Sequence, residues 1–291
     1  MPASAADAPC PEQAFNATAL KWHTCAWLLL PVLVFLAGWM HWYAALPLTL
    51  LTAAGLAPRK RKEPQTRDSL PAFPLFTRSS FLALAAFAAL MALSGWGEWV
   101  NQHPDHIVRN ACLRELVASP WPVIFPDGNV LIYNTGFWLV PALAGKLAGL
   151  DAARVLVVLW GAWGLFLSWL WLCVFSGRRS LLLALLMAAF GSLLNLQCWL
   201  GLNLFRLHYF GTAEQIMCSA NASIPVLLFF IFLASGRMPL PWIPLLFAAT
   251  AFYSPLAALG GLPLAACQWY RQWRGAPPLR DVLLHPSFSA S

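Results

Sequence analysis

The chain has 291 residues, 60% of them hydrophobic and only 10% charged, with a net charge of +7. An ordinary soluble domain carries roughly a quarter charged residues, so this composition excludes a water-coated globule. It points to an all-α polytopic transmembrane bundle, because in lipid only helices and closed barrels satisfy their own backbone.

Taken in chain order, residues 1–21 are rich in Ala and Pro and read as a disordered cytoplasmic tail. The apolar run behind them lacks the small-residue cleavage pattern of a secretory signal. Residues 22–285 read as one transmembrane domain, and 286–291 as a C-terminal tail. A span needs about 17 to 25 uncharged residues. Residues 24–58 and 238–270 are too long for one span, so each reads as a hairpin of two short helices, broken near "HWYAALP" and "YSPLAALGG". Single spans are expected over 79–97, 154–178, 180–205 and 215–236, which makes about eight spans in all.

Basic residues in short loops mark the cytoplasmic side. "PRKRKEP" with Arg67 and Arg78, "GRR" (177–179), Arg237, and "RQWRG" with Arg280 therefore lie inside, as does the N-terminus. Of the 18 basic residues 13 fall inside, whereas six of the 11 acidic ones fall outside. Parity then puts an external loop at about 97–151, within which "VLIYNTGFWLVPALAGKLAG" (130–149) must dip into the outer leaflet or lie on it without spanning.

That loop gathers most of the ionisable groups, and none sits mid-span as a transporter of ions or protons would require. "PDHIVRNACLREL" reads as a short helix along the membrane plane, begun by Pro104 and Asp105. Asp105 is either an N-cap paired with Arg109 one turn on or a general base reaching a substrate hydroxyl. Glu98, in "GWGEWV", is an interface anchor by default and a second carboxylate otherwise. Asp127 sits in the turn "PDGN", and Glu115 fits the solvated face of the loop helix. Arg109, His106, Arg206 and His208 are candidate substrate-binding residues, since planar guanidinium forks suit phosphate oxygens. Pairing with Asp105, or snorkelling to the interface from "NLFRLHYFG", explains the arginines and His208 equally well.

The seven cysteines show no CxxC pair and no zinc-like spacing, and no metal-ligand set is evident. Cys112, Cys198 and Cys218 could meet on one side of the membrane. No nucleic-acid partner is expected.

"DHIVRNACLRELVASPWPV" followed by "LIYNTGFWLVPALAGKLAG" resembles the external loop of bacterial membrane proteins related to the GT-C glycosyltransferases, and "GTAEQIMCSANASIPVLL" and "FYSPLAALGGLPL" are similar to the same layout. The resemblance covers about residues 79 to 270. It implies a bacterial cytoplasmic (inner) membrane protein that moves a sugar from a polyprenyl-phosphate carrier to an acceptor on the external side, usually with inversion. It places Asp105 in the catalytic position with Glu98 in reserve. Basic side chains, or a divalent metal such as Mg or Mn, would steady the departing phosphate. Two other classes stay open: a non-catalytic carrier or flippase of lipid-linked sugar, and an assembly subunit of an envelope-polysaccharide complex with membrane-protein partners.

Overall fold

The computed structural model describes residues 11–57, 77–100, 102, 104–131, 133–190 and 211–276, with side chains from residue 18 onward. Among the described residues every regular element is a helix, and there are ten: α1 (Pro11–Trp39), α2 (Trp42–Leu56), α3 (Arg78–Leu93), α4 (Pro104–Ala118), α5 (Gly136–Ala148), α6 (Leu150–Ser176), α7 (Leu181–Ala189), α8 (Thr212–Ala234), α9 (Trp242–Tyr253) and α10 (Pro255–Trp273). One antiparallel bridge, Ile124 to Val130, closes the "PDG" turn between α4 and α5. Helix α1 starts at Pro11, so regular structure reaches into the stretch read as a disordered tail.

Local chemistry sets the breaks. Ser254 is extended (φ −154°, ψ 94°) because Pro255 disfavours the helical region for the residue before it, and Pro255 then opens α10. His41 is likewise extended and divides α1 from α2. Both breaks fall within the two hairpin motifs. Thr77 caps α3 by accepting the Ser80 N–H, Ser180 caps α7 through Leu182, and Gly177 ends α6 in the left-handed region at φ 69°.

Among the described residues three helices are long and apolar enough to cross a membrane: Thr18–Trp39 within α1, Leu150–Ser176 and Thr212–Ala234. The count of about eight spans is not confirmed at that length. The uncharged runs include breaks and caps, so α2, α3, α5 and α9 hold 15, 16, 13 and 12 residues. At 1.5 Å per residue these extend only about 18–24 Å, short of a hydrocarbon core of about 30 Å. Residues 191–210, which carry most of the expected span at 180–205, lie outside the described residues.

The core is built on α6. Trp27 of α1 is 1% exposed, stacks on Trp160 of α6 (5.1 Å) and on Tyr253 of α9 (5.6 Å), and donates from Nε1 to the Trp160 carbonyl at 3.0 Å. The Tyr253 hydroxyl returns a bond to the Trp27 carbonyl at 2.9 Å. Gly164 lets these helices meet, since a Cβ there would come within 2.6 Å of Ile224 and 2.7 Å of the Trp27 ring. Helix α5 is inserted into the bundle, with Phe137, Leu139 and Ala142 fully buried. Gly149 (φ 90°) turns it directly into α6.

Contacts between helix ends sort the molecule into two poles. At one, Trp22 meets Trp242, Gln272 donates to the Met238 carbonyl, and Arg179 bonds Ser80. At the other, Trp39 meets Trp121, Trp96 donates to Ile216, and Glu98 pairs with Arg154. Among described side chains all six carboxylates, Glu98, Asp105, Glu115, Asp127, Asp151 and Glu214, lie at the second pole. The first holds Lys21, Arg78, Arg178, Arg179, Arg237, Arg271 and Arg274 with no described acid.

Candidate functional site

The acidic pole is organised around Trp96. Helix α3 ends at Leu93, and the following turn needs positive φ at Gly95 (95°), Gly97 (100°) and Glu98 (69°). A Cβ at Gly97 would press on Trp99 and Val158 at 3.1–3.2 Å, so the chain runs close against α6 here. The turn buries Trp96 to 2% exposure, where its Nε1 donates to the Ile216 carbonyl of α8 at 2.8 Å. His106, fully buried, meets this ring edge-on at 5.3 Å and donates from Nε2 to the Ser94 carbonyl at 3.0 Å.

Arg109 stands on the same face of α4. Its guanidinium lies 5.6 Å from the Trp96 ring centre and 3.6 Å from the Asp105 carboxylate. The side chain is 8% exposed, against 53% for Asp105. Nε and Nη1 of Arg109 are buried with no hydrogen-bond partner among the described residues. A guanidinium so placed is attracted to a ring face yet keeps unspent donors for an anion. Asp105 and Arg109 both act electrostatically on Cys218 of α8, as does Glu214 at the start of that helix, so the N-terminal ends of α4 and α8 share one neighbourhood. Glu214 accepts the Gly211 N–H at 3.1 Å and closes the first turn of α8.

Beside this cluster lies a cavity of about 450 Å³, lined largely by apolar residues of α8, with Phe190 just past the end of α7, Ala257 of α10, and Thr212, Gln215 and Ser223 as polar members. Helix α8 is irregular here: Ser219 leaves helical geometry (φ −154°, ψ 38°), and Ser223 turns its hydroxyl to the Gln215 and Ser219 carbonyls. Ile216 joins the two regions, since it lines the cavity and its carbonyl receives Trp96.

Glu98 points elsewhere. Its Oε2 is held by Arg114 of α4 at 2.5 Å and by Arg154 of α6, and Arg154 also binds Asp151 at 2.7 Å. The Glu98 side chain is 8% exposed. Burial pushes its carboxyl upward, but the hydrogen bonds and charges of the two arginines outweigh burial and hold it below the ordinary value of 4.5. The arrangement ties the α3 turn, α4 and α6 together. Asp127 accepts from the backbone and side chain of Asn129, which also lowers its carboxyl, and it stays within its turn.

The structure thus brings Asp105, His106 and Arg109 into one cluster, with Glu98 in a separate one. Arg206 and His208 lie outside the described residues. Cys112 and Cys218 are free thiols, and Cys198 is outside the described residues. Among the described residues no group of three or more His, Cys, Asp or Glu could hold a metal ion. Sequence reasoning missed Trp96 as the hub and Arg154 as the partner of Glu98. The signals were present: a charge in the first turns of an apolar helix requires a partner, and "GWG" permits the reversed turn that supplies one. No protein-family model matches the chain, and no curated protein or solved structure matches it either.

Proposed function

We propose that this multi-pass protein of the bacterial inner membrane is a GT-C-like glycosyltransferase. In this reading it moves a sugar from polyprenyl phosphate to an acceptor at the external face, where its acidic pole lies. The observation that carries the reading is the Asp105–Arg109 pair: a carboxylate open to solvent next to a buried guanidinium with donors to spare.

Asp105 is the base. It takes the proton of the acceptor hydroxyl as that oxygen bonds to the anomeric carbon, while the bond from that carbon to the phosphate oxygen breaks and its electron pair leaves with the lipid phosphate. Arg109 compensates the charge that develops on the phosphate, and such preorganised donors are worth most in a water-poor site. His106 and Trp96 hold α4 and the guanidinium in place. Glu98 is poorly suited to act as base, because both arginines occupy one of its oxygens and its basicity is lowered.

The full chain in vesicles, supplied with a panel of polyprenyl-phosphate sugars and acceptor glycans, tests this. Asp105→Asn should reduce glycosidic product by about 10²- to 10⁴-fold and leave retention of the lipid nearly unchanged. Turnover equal to that of the parent removes Asp105 as base. Lipid moving between leaflets with no glycosidic product would establish a carrier instead.

A further inference from the structure

The helices that show the most apolar surface are short, whereas the long helices α6 and α8 are covered by their neighbours. In α8 no residue is exposed, and in α6 exposure is confined to Asp151, Val155 and Leu159 in its first three turns. Helix α2 has no buried residue, and Trp42, Leu50 and Leu51 on it are 60–78% exposed. Its two threonines turn their hydroxyls back on their own helix, Thr49 to the Ala45 carbonyl at 2.8 Å and Thr52 to the Leu48 carbonyl at 2.9 Å, so α2 asks nothing polar of its surroundings. Phe81, Leu82 and Leu93 stand out from α3, and Leu256, Leu259 and Leu262 from α10.

These three helices share one apolar length. Helix α2 runs for 15 residues between His41 and the basic sequence that begins at Arg59, and α3 runs for 16 from Arg78 with no further charge before Glu98. Helix α10 is uncharged from Pro255 to Tyr270, ahead of Arg271. At 1.5 Å per residue each covers about 22–24 Å. Exposed Trp42 and Tyr43 mark one end of this belt, at the acidic pole, and Trp269 and Tyr270 the other, as such rings do at headgroup level. The uncharged part of α1, Trp22 to Met40, is about 28 Å long and meets the same belt at a tilt of about 30°, within the usual range.

We propose that the exposed faces of α2, α3 and α10 form a lipid-facing belt matched to a hydrocarbon layer of about 24 Å, and that the partners of this surface are lipids with short acyl chains. A typical layer of about 30 Å overhangs each of these helices, and the bilayer must thin around them at a cost that grows with the difference. Lipids whose chains already span the shorter distance pay none of it. Helix α2 packs on α1 and α9, whereas α3 packs on α6 and α7, so the exposed surface belongs to separate parts of the bundle and a fluid annulus covers it more readily than a second copy would. The proposal requires the chain to sit in a bilayer but does not depend on Asp105 or on any sugar transfer.

The test reconstitutes the full chain in vesicles of dimyristoleoyl, dioleoyl or dierucoyl phosphatidylcholine, each mixed with a brominated dioleoyl lipid that quenches tryptophan fluorescence. Relief of quenching gives the relative affinity of the annulus for each chain length. Dimyristoleoyl lipid should bind about threefold more tightly than dioleoyl, and dierucoyl more weakly than either. Equal affinities, or the highest affinity for dioleoyl lipid, overturn the proposal. Lengthening α2 by one turn of leucines after Leu51 disturbs no buried residue of that helix and should draw the preference back toward dioleoyl lipid; a preference that does not move also overturns the match. If the lengthened chain loses helix content by circular dichroism, the parent series decides alone. Unquenched protein that still floats with the vesicles would mean that a second copy covers these faces, and protein that does not float would remove the membrane reading and the belt with it.

Discussion

Helix α4 carries two ion-pair clusters that reverse each other. In the Asp105–Arg109 pair the acid is exposed and the base buried, at 3.6 Å. In the Glu98–Arg114 pair the acid is buried and the base 55% exposed, at 2.5 Å, and Arg154 adds a second cation. An open carboxylate can meet a substrate, whereas one enclosed by two guanidiniums is committed to joining helices. The same kinds of charge, anchored five residues apart on α4 at Arg109 and Arg114, thus do different work because burial falls on opposite partners.

The sharpest way to break this contrast is to neutralise each acid in turn. Asp105→Asn is expected to reduce product formation by about 10²- to 10⁴-fold with little change in thermal stability, as exposed pairs contribute about 0–1 kcal/mol. Glu98→Ala, which removes the carboxylate shared by Arg114 and Arg154, is expected to cost about 1–3 kcal/mol, read as a lowered unfolding temperature in detergent. Equal effects of the two changes on stability would erase the distinction.

Acid sharpens the same comparison. The folded Glu98 carboxyl titrates below its ordinary value of 4.5, so its ionised form adds stability above about pH 4.5, and that contribution is lost as pH falls through the lowered folded value. Amide protection along α4, corrected for the intrinsic pH dependence of exchange, should therefore fall on acidification. In Glu98→Gln the dependence should flatten, and a retained pH dependence would assign it to another group. The smallest expected effect belongs to Trp96→Phe, which removes the bond to Ile216 and weakens the ring contact with Arg109. It should cost about 0.5–2 kcal/mol, with α4 exchange rising more than that of α6.

The breaks at His41 and Ser254 show how much of the fold was legible beforehand. Both hairpin interruptions were readable because Pro and polar residues act within a few positions of the backbone they redirect. Helix lengths were harder. An uncharged run reports where a helix is tolerated in lipid, whereas its ends depend on caps and neighbours, so α3 and α9 stop short of a membrane's thickness. At the site, the spacing of Asp105 and Arg109 foretold their contact, since i and i+4 share a face.

The chain's composition and its asymmetry of charge determined a helical protein suited to lipid, with the described acids gathered at one pole and most of the described basic residues at the other, since those properties are sums over residues. Only tertiary packing decided that α5 is inserted into the bundle, that Trp96 carries Arg109 and that Arg154 claims Glu98. Those contacts join residues dozens of positions apart, and burial, which separates a strut from an open carboxylate, belongs to the packed neighbours rather than to the residue itself.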